Sequence, residues 1–289
     1  MSYVYFTQEE RQRARTTDLA AFLRERGESI HRSGSEHMWL CSGQKVTLRG
    51  NLWFHHYTQT GGDAVEFACR FYHLEYPDAV KLLLQSGVPC AETIPEIYPQ
   101  RQLVLPRRNE NMRRVSAYLL HQRGIDQEVL DAFAFRNQIW ESLPYHNAVF
   151  LGCDPEGQPR HAHLRSTATR GTYKGNAPGS RPEYSFHWIG AGDTLFLFES
   201  PIDLLSYLSM HKSGWRKNSY AAACGVSDKV LWQCMKDHPQ LKKVLICLDN
   251  DSPGKIAAEK ISEKLEQKHI DHAILVPKHK DWNEDLLHL

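Results

Sequence analysis

The sequence predicts an α/β protein: a parallel-sheet domain at the carboxyl end, preceded by an α+β module and a small α+β unit at the amino end. Three observations carry this prediction. From residue 194 onward, buried apolar strands alternate with amphipathic helices, the pattern of a parallel sheet with helices on its faces. Within residues 1–87, short strand-like pieces lie between capped helices. Between these regions, 88–110 carries Pro89, Pro95, Pro99 and Pro106 with little periodicity, which reads as an extended linker. At about 100–200 residues per domain, a chain of 289 accommodates such a division.

Each element has a local cause. Thr7-x-x-Glu10 is a capping box that opens a first helix. A second run from about Thr17 stops at Gly27 and carries Leu19, Phe22 and Leu23 as an apolar stripe. The pieces 37–41, 45–49 and 52–56, punctuated by Gly43 and Gly50, predict a small antiparallel sheet. Gly61-Gly62-Asp63 opens an amphipathic helix, and Tyr76-Pro77 opens another that Gly87 stops. In the middle, helices are expected over 111–123, ended by Gly124, and over 126–135, capped by Asp126. Strand 147–153, the turn Asp154-Pro155-Glu156-Gly157 and the alternating 160–167 form a β-hairpin. The last region reads as strand 194–198, a helix from Pro201, strand 219–224, helix 228–238, strand 242–248, a helix from Pro253 and strand 272–277.

Composition narrows the function class. Lys and Arg number 35 against 34 Asp and Glu, so no global field draws the chain to a polyanion, and any such site must come from local clustering. No run of about 18 apolar residues and no signal-peptide pattern is present, so a cytoplasmic protein without a membrane partner is expected. The seven cysteines are scattered and never spaced C-x-x-C, which predicts neither a disulfide framework nor a complete zinc site. Sixteen histidines include His55-His56 and His161-x-His163, and strand or surface roles are the expectation for these pairs.

The chemistry concentrates at two strand ends. The strand 194–198 runs into Glu199, and the strand 242–248 runs into Asp249-Asn250-Asp251. In parallel sheets ligands bind beyond the carboxyl ends of the strands. Asp249 and Asp251, two apart in extended chain, face one side, and an all-oxygen set of this kind suits Mg²⁺ or Mn²⁺. The structural alternative is helix capping: Ser252 and Pro253 make a good N-cap and first-turn pair, and Asp251 sits near the helix dipole.

These residues resemble a known family. FESPIDLLS (198–206) and LICLDNDSPGKIAAEKI (245–261) resemble the Toprim domain, a Rossmann-like parallel-sheet fold shared by DnaG-type bacterial primases, topoisomerases and some nucleases. The segment 276–287, VPKHKDWNEDLL, is similar to the acid-bearing stretch after the last Toprim strand. The resemblance implies Glu199 as general acid or base and Asp249 and Asp251 as metal holders, with Asp203, Asp281 and Asp285 as weaker candidates that read equally as ordinary helix caps or exposed acids. Upstream, YLLHQRGIDQEVLDAF, HNAVFLGCDPEGQPRHAHLRST and YKGNAPGSRPEYSFHW look like the uncharacterised module that precedes Toprim in primase-like proteins of mobile elements. Residues 17–84 resemble the zinc-binding domain of DnaG-type primases. The resulting domain division is 1–87, linker 88–110, module 111–192 and Toprim 193–289.

The amino-terminal unit departs from its family. Where those primases place Cys-x-x-Cys, this chain has His55 and Thr58, and Cys41 lacks its partner histidine. Four-coordinate zinc needs four ligands; only Cys41, His55 and one of His37 or His56 can be assembled, so a degenerate zinc-ribbon-like fold held by its apolar core, without zinc, is expected. By contrast, 157–182 carries no acid but has Arg160, Arg165, Arg170, Lys174 and Arg181 interleaved with His161, His163 and Tyr173. Alternate residues of a hairpin share a face, so these residues, with Lys255 near the acids, are the expected nucleic-acid contacts, unless they form a solvated basic loop.

Three functions fit: a primase-like nucleotidyltransferase on single-stranded DNA, a metal-dependent nuclease, or a non-catalytic DNA-binding accessory of a mobile element. DNA, nucleotides and a replicative helicase or relaxase are the expected partners. The chain has no G-x-x-x-x-G-K-[ST] loop and so no helicase motor of its own. A Toprim topoisomerase would need a tyrosine-bearing domain for which little chain remains.

Overall fold

The computed structural model describes residues 6–33, 36–41, 44–55, 60–91, 102–169, 173–225 and 227–289. The chain divides into two compact units, Met1–Tyr98 and Pro99–Leu289.

In the first unit, Thr7 and Glu10 close the expected capping box ahead of α1 (Gln8–Arg15), and Asp18 caps α2 (Leu19–Glu25). An antiparallel meander follows: β1 (Ile30–Ser33), β2 (Glu36–Cys41), β3 (Gln44–Arg49), β4 (Leu52–His55) and β5 (Thr60–Gly62), in consecutive order. The strands β1 and β5 lack the apolar alternation by which the other three are legible. Gly61 and Gly62 lie in β5 rather than opening a helix, paired with Phe54 and Trp53 of β4, where a Cβ on Gly61 would stand 2.6 Å from the Trp53 carbonyl oxygen. Asp63 alone caps α3 (Ala64–Phe71), accepting from the backbone N–H of Val65 and Glu66, and α4 (Tyr76–Gln85) begins with a proline in its first turn.

Trp39 and Trp53 from the sheet meet Phe67 and Phe71 from α3 at ring separations of 4.7–6.2 Å among the four. His55 is buried edge-on to Phe71 as part of this core. Cys41 closes β2, with its side chain outside the described residues, as are His56 and Thr58.

The stretch expected as a linker is held at both ends. Cys90 bridges to Thr17 in the first unit. In the second, Val104 N–H donates to the Pro178 carbonyl at 2.9 Å and Arg108 bridges to Ser142. Residues 92–101 lie outside the described residues.

The second unit opens with α5 (Arg113–Ala117), which widens into a π turn over Tyr118–Gln122, and α6 (Gln127–Phe135), capped by Asp126 as expected. A four-stranded antiparallel sheet follows, β6 (Ile139–Glu141), β7 (Ala148–Cys153), β8 (Pro159–Arg165) and β9 (Lys174–Asn176). The hairpin β7–β8 is the expected one; β6 and β9, three residues each, give too short a pattern to read.

The chain then crosses into a second sheet. Its members in chain order are β10 (His187–Trp188), β11 (Thr194–Phe198), α7 (Pro201–Met210), β12 (Ser219–Ala222), α8 (Lys229–Asp237), β13 (Lys243–Cys247), α9 (Ser252–Gln267), β14 (Asp271–Ile274) and α10 (Trp282–Leu287). The spatial order is β10-β12-β11-β13-β14, with β11 to β14 parallel and β10 antiparallel at one edge. One core joins Val115, Phe133, Phe150 and Phe186 to Phe198, Leu204 and Trp282, and so crosses residue 192. The opposite face of the sheet buries Leu195, Val230, Ile246 and Ile261. Among the described residues no helix is long and apolar enough to cross a membrane.

Candidate active site

Parallel pairing of β11 with β13 places Phe198 opposite Cys247, so both strands release their acids at one edge. Glu199 follows β11 directly. Ser200 then caps α7, and its Oγ donates to Asp203 Oδ2 at 2.6 Å, fixing Asp203 in the first helical turn. After β13, Asp251 caps α9 by accepting from Gly254 N–H at 2.9 Å, so Asp251 takes the capping place expected of Ser252, which becomes the first helical residue. Gly254 is needed for a different reason: a Cβ there would lie 2.2 Å from the Asp249 carbonyl oxygen. The sequence thus spends one acid and one glycine on bringing α9 close to Asp249.

The resulting cluster is electrostatically strained. Burial, reinforced by Asp251 and Asp203, pushes Glu199 up to about 7. Burial also raises Asp203, with Asp281 adding to it, and raises Asp249, with Asp203, Glu199, Asp281 and Asp251 adding to it. Glu199 Oε2 and Asp249 Oδ1 are both buried with no hydrogen-bond partner among the described residues. Buried carboxylate oxygens are ordinarily paired, and these two repel one another instead. An all-oxygen donor set with unpaired buried oxygens fits a hard divalent cation, which Asp249, Asp251 and Asp203 could hold beside Glu199. Among the described residues, no three His, Cys, Asp or Glu side chains close into a ready-made ligand cage.

Of the weaker acidic candidates, Asp281 caps α10 and still bears on Asp203 and Asp249. Asp285 is engaged elsewhere, accepting from the backbone N–H groups of Lys278 and His279 at 2.8 and 2.7 Å and meeting the His279 ring at 2.8 Å.

The basic residues separate in the same way. Lys174 opposes the upward push on Glu199, and Arg165 does so on Asp203. The two are register partners on β9 and β8, and neither forms an ion pair with a described residue. Arg160 is instead bound to Asp154 at 2.6 Å, and Arg181 to Glu183 at 2.8 Å. Lys255 stands exposed on the first turn of α9, and Arg170 lies outside the described residues. His161 and His163 are buried strand residues; the His161 ring has no hydrogen-bond partner among the described residues, and burial lowers it to about 4.

Lys280 was not expected at the site. It also lowers Glu199, and its carbonyl accepts from Asn250 N–H at 2.7 Å while Asn250 Nδ2 donates to the Pro277 carbonyl at 3.1 Å. The residue between the two aspartates thereby clips the 277–280 segment to the acid-bearing turn. The only sequence signal was its place beside Asp281.

Acids at adjacent parallel strand ends are the arrangement that the Toprim resemblance implies for this edge. Compared with known proteins, residues 196–286 match the Toprim-like family, and residues 117–192 match a family described as a protein of unknown function, DUF3991. The primase fragment of the bacteriophage T7 primase-helicase protein superimposes with a TM-score of 0.51 at 16% identity, covering 84% of this chain and 89% of that one. The Aquifex aeolicus primase, comprising zinc-binding and RNA polymerase domains, gives 0.43 at 16% identity, covering 98% and 83%. An uncharacterised protein of Bacillus anthracis is 22% identical over 281 residues, covering 89% of this chain and 79% of the relative. The T7 likeness establishes a shared fold.

Proposed function

We propose that this protein is a primase-like, metal-dependent nucleotidyltransferase acting on single-stranded DNA in the replication or transfer of a mobile element. The observation that carries the reading is the pair of buried carboxylate oxygens on Glu199 and Asp249, unpartnered among the described residues and flanked by Lys174 and Arg165, which pair with no described acid. Charges of opposite sign that face each other without pairing suit a site built for two further components, a cation and a polyanion.

Asp249 and Asp251, with Asp203 behind them, would hold Mg²⁺ or Mn²⁺. When bound, the ion supplies charge neutralisation at phosphoryl oxygens and acidification of a coordinated oxygen. Glu199, raised to about 7, is poised to accept or return a proton near neutrality, as a general base or acid requires. Lys174, Arg165 and Lys280 orient phosphates toward the carboxylates. The fold shared with the T7 primase fragment supports nucleotidyl transfer over hydrolysis by the same acids, and the T7 fragment's origin in a primase-helicase protein supports a helicase as partner.

The test incubates purified protein with single-stranded DNA, ribo- and deoxyribonucleotides, and Mg²⁺ or Mn²⁺, and follows both oligonucleotide synthesis and cleavage. Synthesis that falls at least 100-fold in both Glu199→Gln and Asp249→Asn is the expected result. Cleavage without synthesis assigns a nuclease; salt-sensitive DNA binding with neither reaction assigns an accessory.

A further inference from the structure

Tyr145 is 80% exposed, yet it stands on a turn whose backbone is tied on every side. Ser142 N–H donates to the Asn147 carbonyl at 3.0 Å, and Asn147 N–H returns to Ser142 Oγ at 3.2 Å. Leu143 N–H reaches the Arg107 carbonyl at 2.7 Å. Thr167 Oγ1 donates to the His146 carbonyl at 2.8 Å, and the His146 ring meets Glu141 at 2.6 Å. His146 itself adopts φ 54°, a conformation that a non-glycine residue adopts at a cost. The fold gains almost no apolar burial from Tyr145, while hydrogen bonds from residues on both sides of it hold its turn.

The turn is also in a particular place. It joins β6 to β7, and the first residue of β7, Ala148, is the register partner of Arg165, which is in turn the partner of Lys174. Tyr173, 54% exposed, precedes Lys174, and its carbonyl accepts from Ser166 N–H at 2.9 Å. Two exposed phenols and two cations without an ion pair among the described residues therefore share one end of this sheet, the end whose cations bear on Glu199 and Asp203. A phosphate would suit Arg165 and Lys174; the flat apolar faces of the rings have no use for one.

We propose that Tyr145 is a stacking platform for an unpaired nucleobase, and that it makes this end of the β6–β9 sheet a clamp specific for single strands. The backbone of the bound strand passes Arg165 and Lys174 toward the carboxylates. Every base has a π-face, so the clamp takes any sequence, but a base already stacked inside a duplex is not available to it. The proposal rests on the nucleic-acid reading above and adds a base contact to it.

The experiment measures binding of the full chain to a fluorescein-labelled oligothymidylate by polarisation across a salt series without divalent metal, so that catalysis plays no part. Tyr145→Ala should weaken binding about 5- to 150-fold, the loss of one stacked base, without changing the salt slope. Tyr145→Trp should retain affinity, and Tyr145→Ala should cost nothing further on a strand carrying an abasic site at the stacked position. Lys174→Ala should instead lower the slope by about 0.7, one phosphate contact on a single strand. Wild-type affinity in Tyr145→Ala beside a weakened Lys174→Ala overturns the platform and leaves the nucleic-acid reading standing. An equal loss on duplex DNA also overturns it, and absence of any binding by the wild-type protein removes both.

Discussion

Glu141 shows how much one buried carboxylate can organise. It is 1% exposed, and its oxygens accept from Asn109 Nδ2 at 2.7 Å, from the backbone N–H groups of Arg114 and Val115 at 2.9 and 3.2 Å, and from the His146 ring at 2.6 Å. Burial pushes its carboxyl up, but these donors outweigh burial and hold it below the usual carboxylate range. A carboxylate depressed in the folded state adds stability above its unfolded value of 4.5, and that stability is lost as pH falls through the lower folded value. Glu141→Gln should therefore cost on the order of 2 kcal/mol in urea unfolding at pH 7, and the difference from wild type should shrink steadily in acid. Glu199 has the opposite sign. Its folded value near 7 lies above the unfolded 4.5, so folding binds a proton between these values and stability falls as pH rises through the window. Thermal melts of metal-free protein should show that fall, Glu199→Gln should make it shallower while the raised Asp203 and Asp249 keep part of it, and Mn²⁺ should raise the midpoint in wild type more than in Asp249→Asn.

Turns and helices were legible where chemistry is local. The capping box at Thr7, the Asp126 cap and the hairpin turn at 154–157 depend on neighbours within a few residues, and all three stand where the sequence puts them. The short strands β6, β9 and β10 were not legible, because a strand of two or three residues is defined by its partner rather than by its own alternation. The turn from β13 to α9 lies between these cases: its acids were visible, but the reason for Gly254 was not, since the close approach to the Asp249 carbonyl is a contact between segments. Gly254→Ala should lower stability by about 1–3 kcal/mol, the cost of overpacking, and should weaken Mn²⁺ protection by displacing α9 from Asp249. Asp63→Ala should cost about 0.5–2 kcal/mol through the lost cap of α3, with no effect on Mn²⁺ binding.

Residues 117–192 and 196–286 match separate families yet share one core, in which Phe133, Phe150 and Phe186 pack continuously with Phe198, Leu204 and Trp282. The last helix reinforces the union: Trp282 Nε1 donates to the Cys247 carbonyl at 2.8 Å, and buried Asn283 donates to the Arg123 carbonyl at 2.7 Å and to Ser206 Oγ at 3.0 Å. Segments bound in this way unfold together. Phe186→Ala should lower hydrogen-exchange protection in β7 and in β13 alike, by about 3–5 kcal/mol, whereas loss confined to the β6–β9 sheet would show two independent folding units. The amino-acid sequence was enough to set the class of sheet, the capped ends and the presence of acids after β11 and β13, because periodicity, caps and strand termini are properties of adjacent residues. Which cations meet those acids was decided only in three dimensions. Arg160, Arg165, Lys174 and Arg181 read alike along the chain, but an acid lies within reach of two of them, while register and the Asn250 clip carry Arg165, Lys174 and Lys280 to the carboxylates. Charges act through space rather than along the chain, so their pairing is fixed by tertiary contacts that no local pattern encodes.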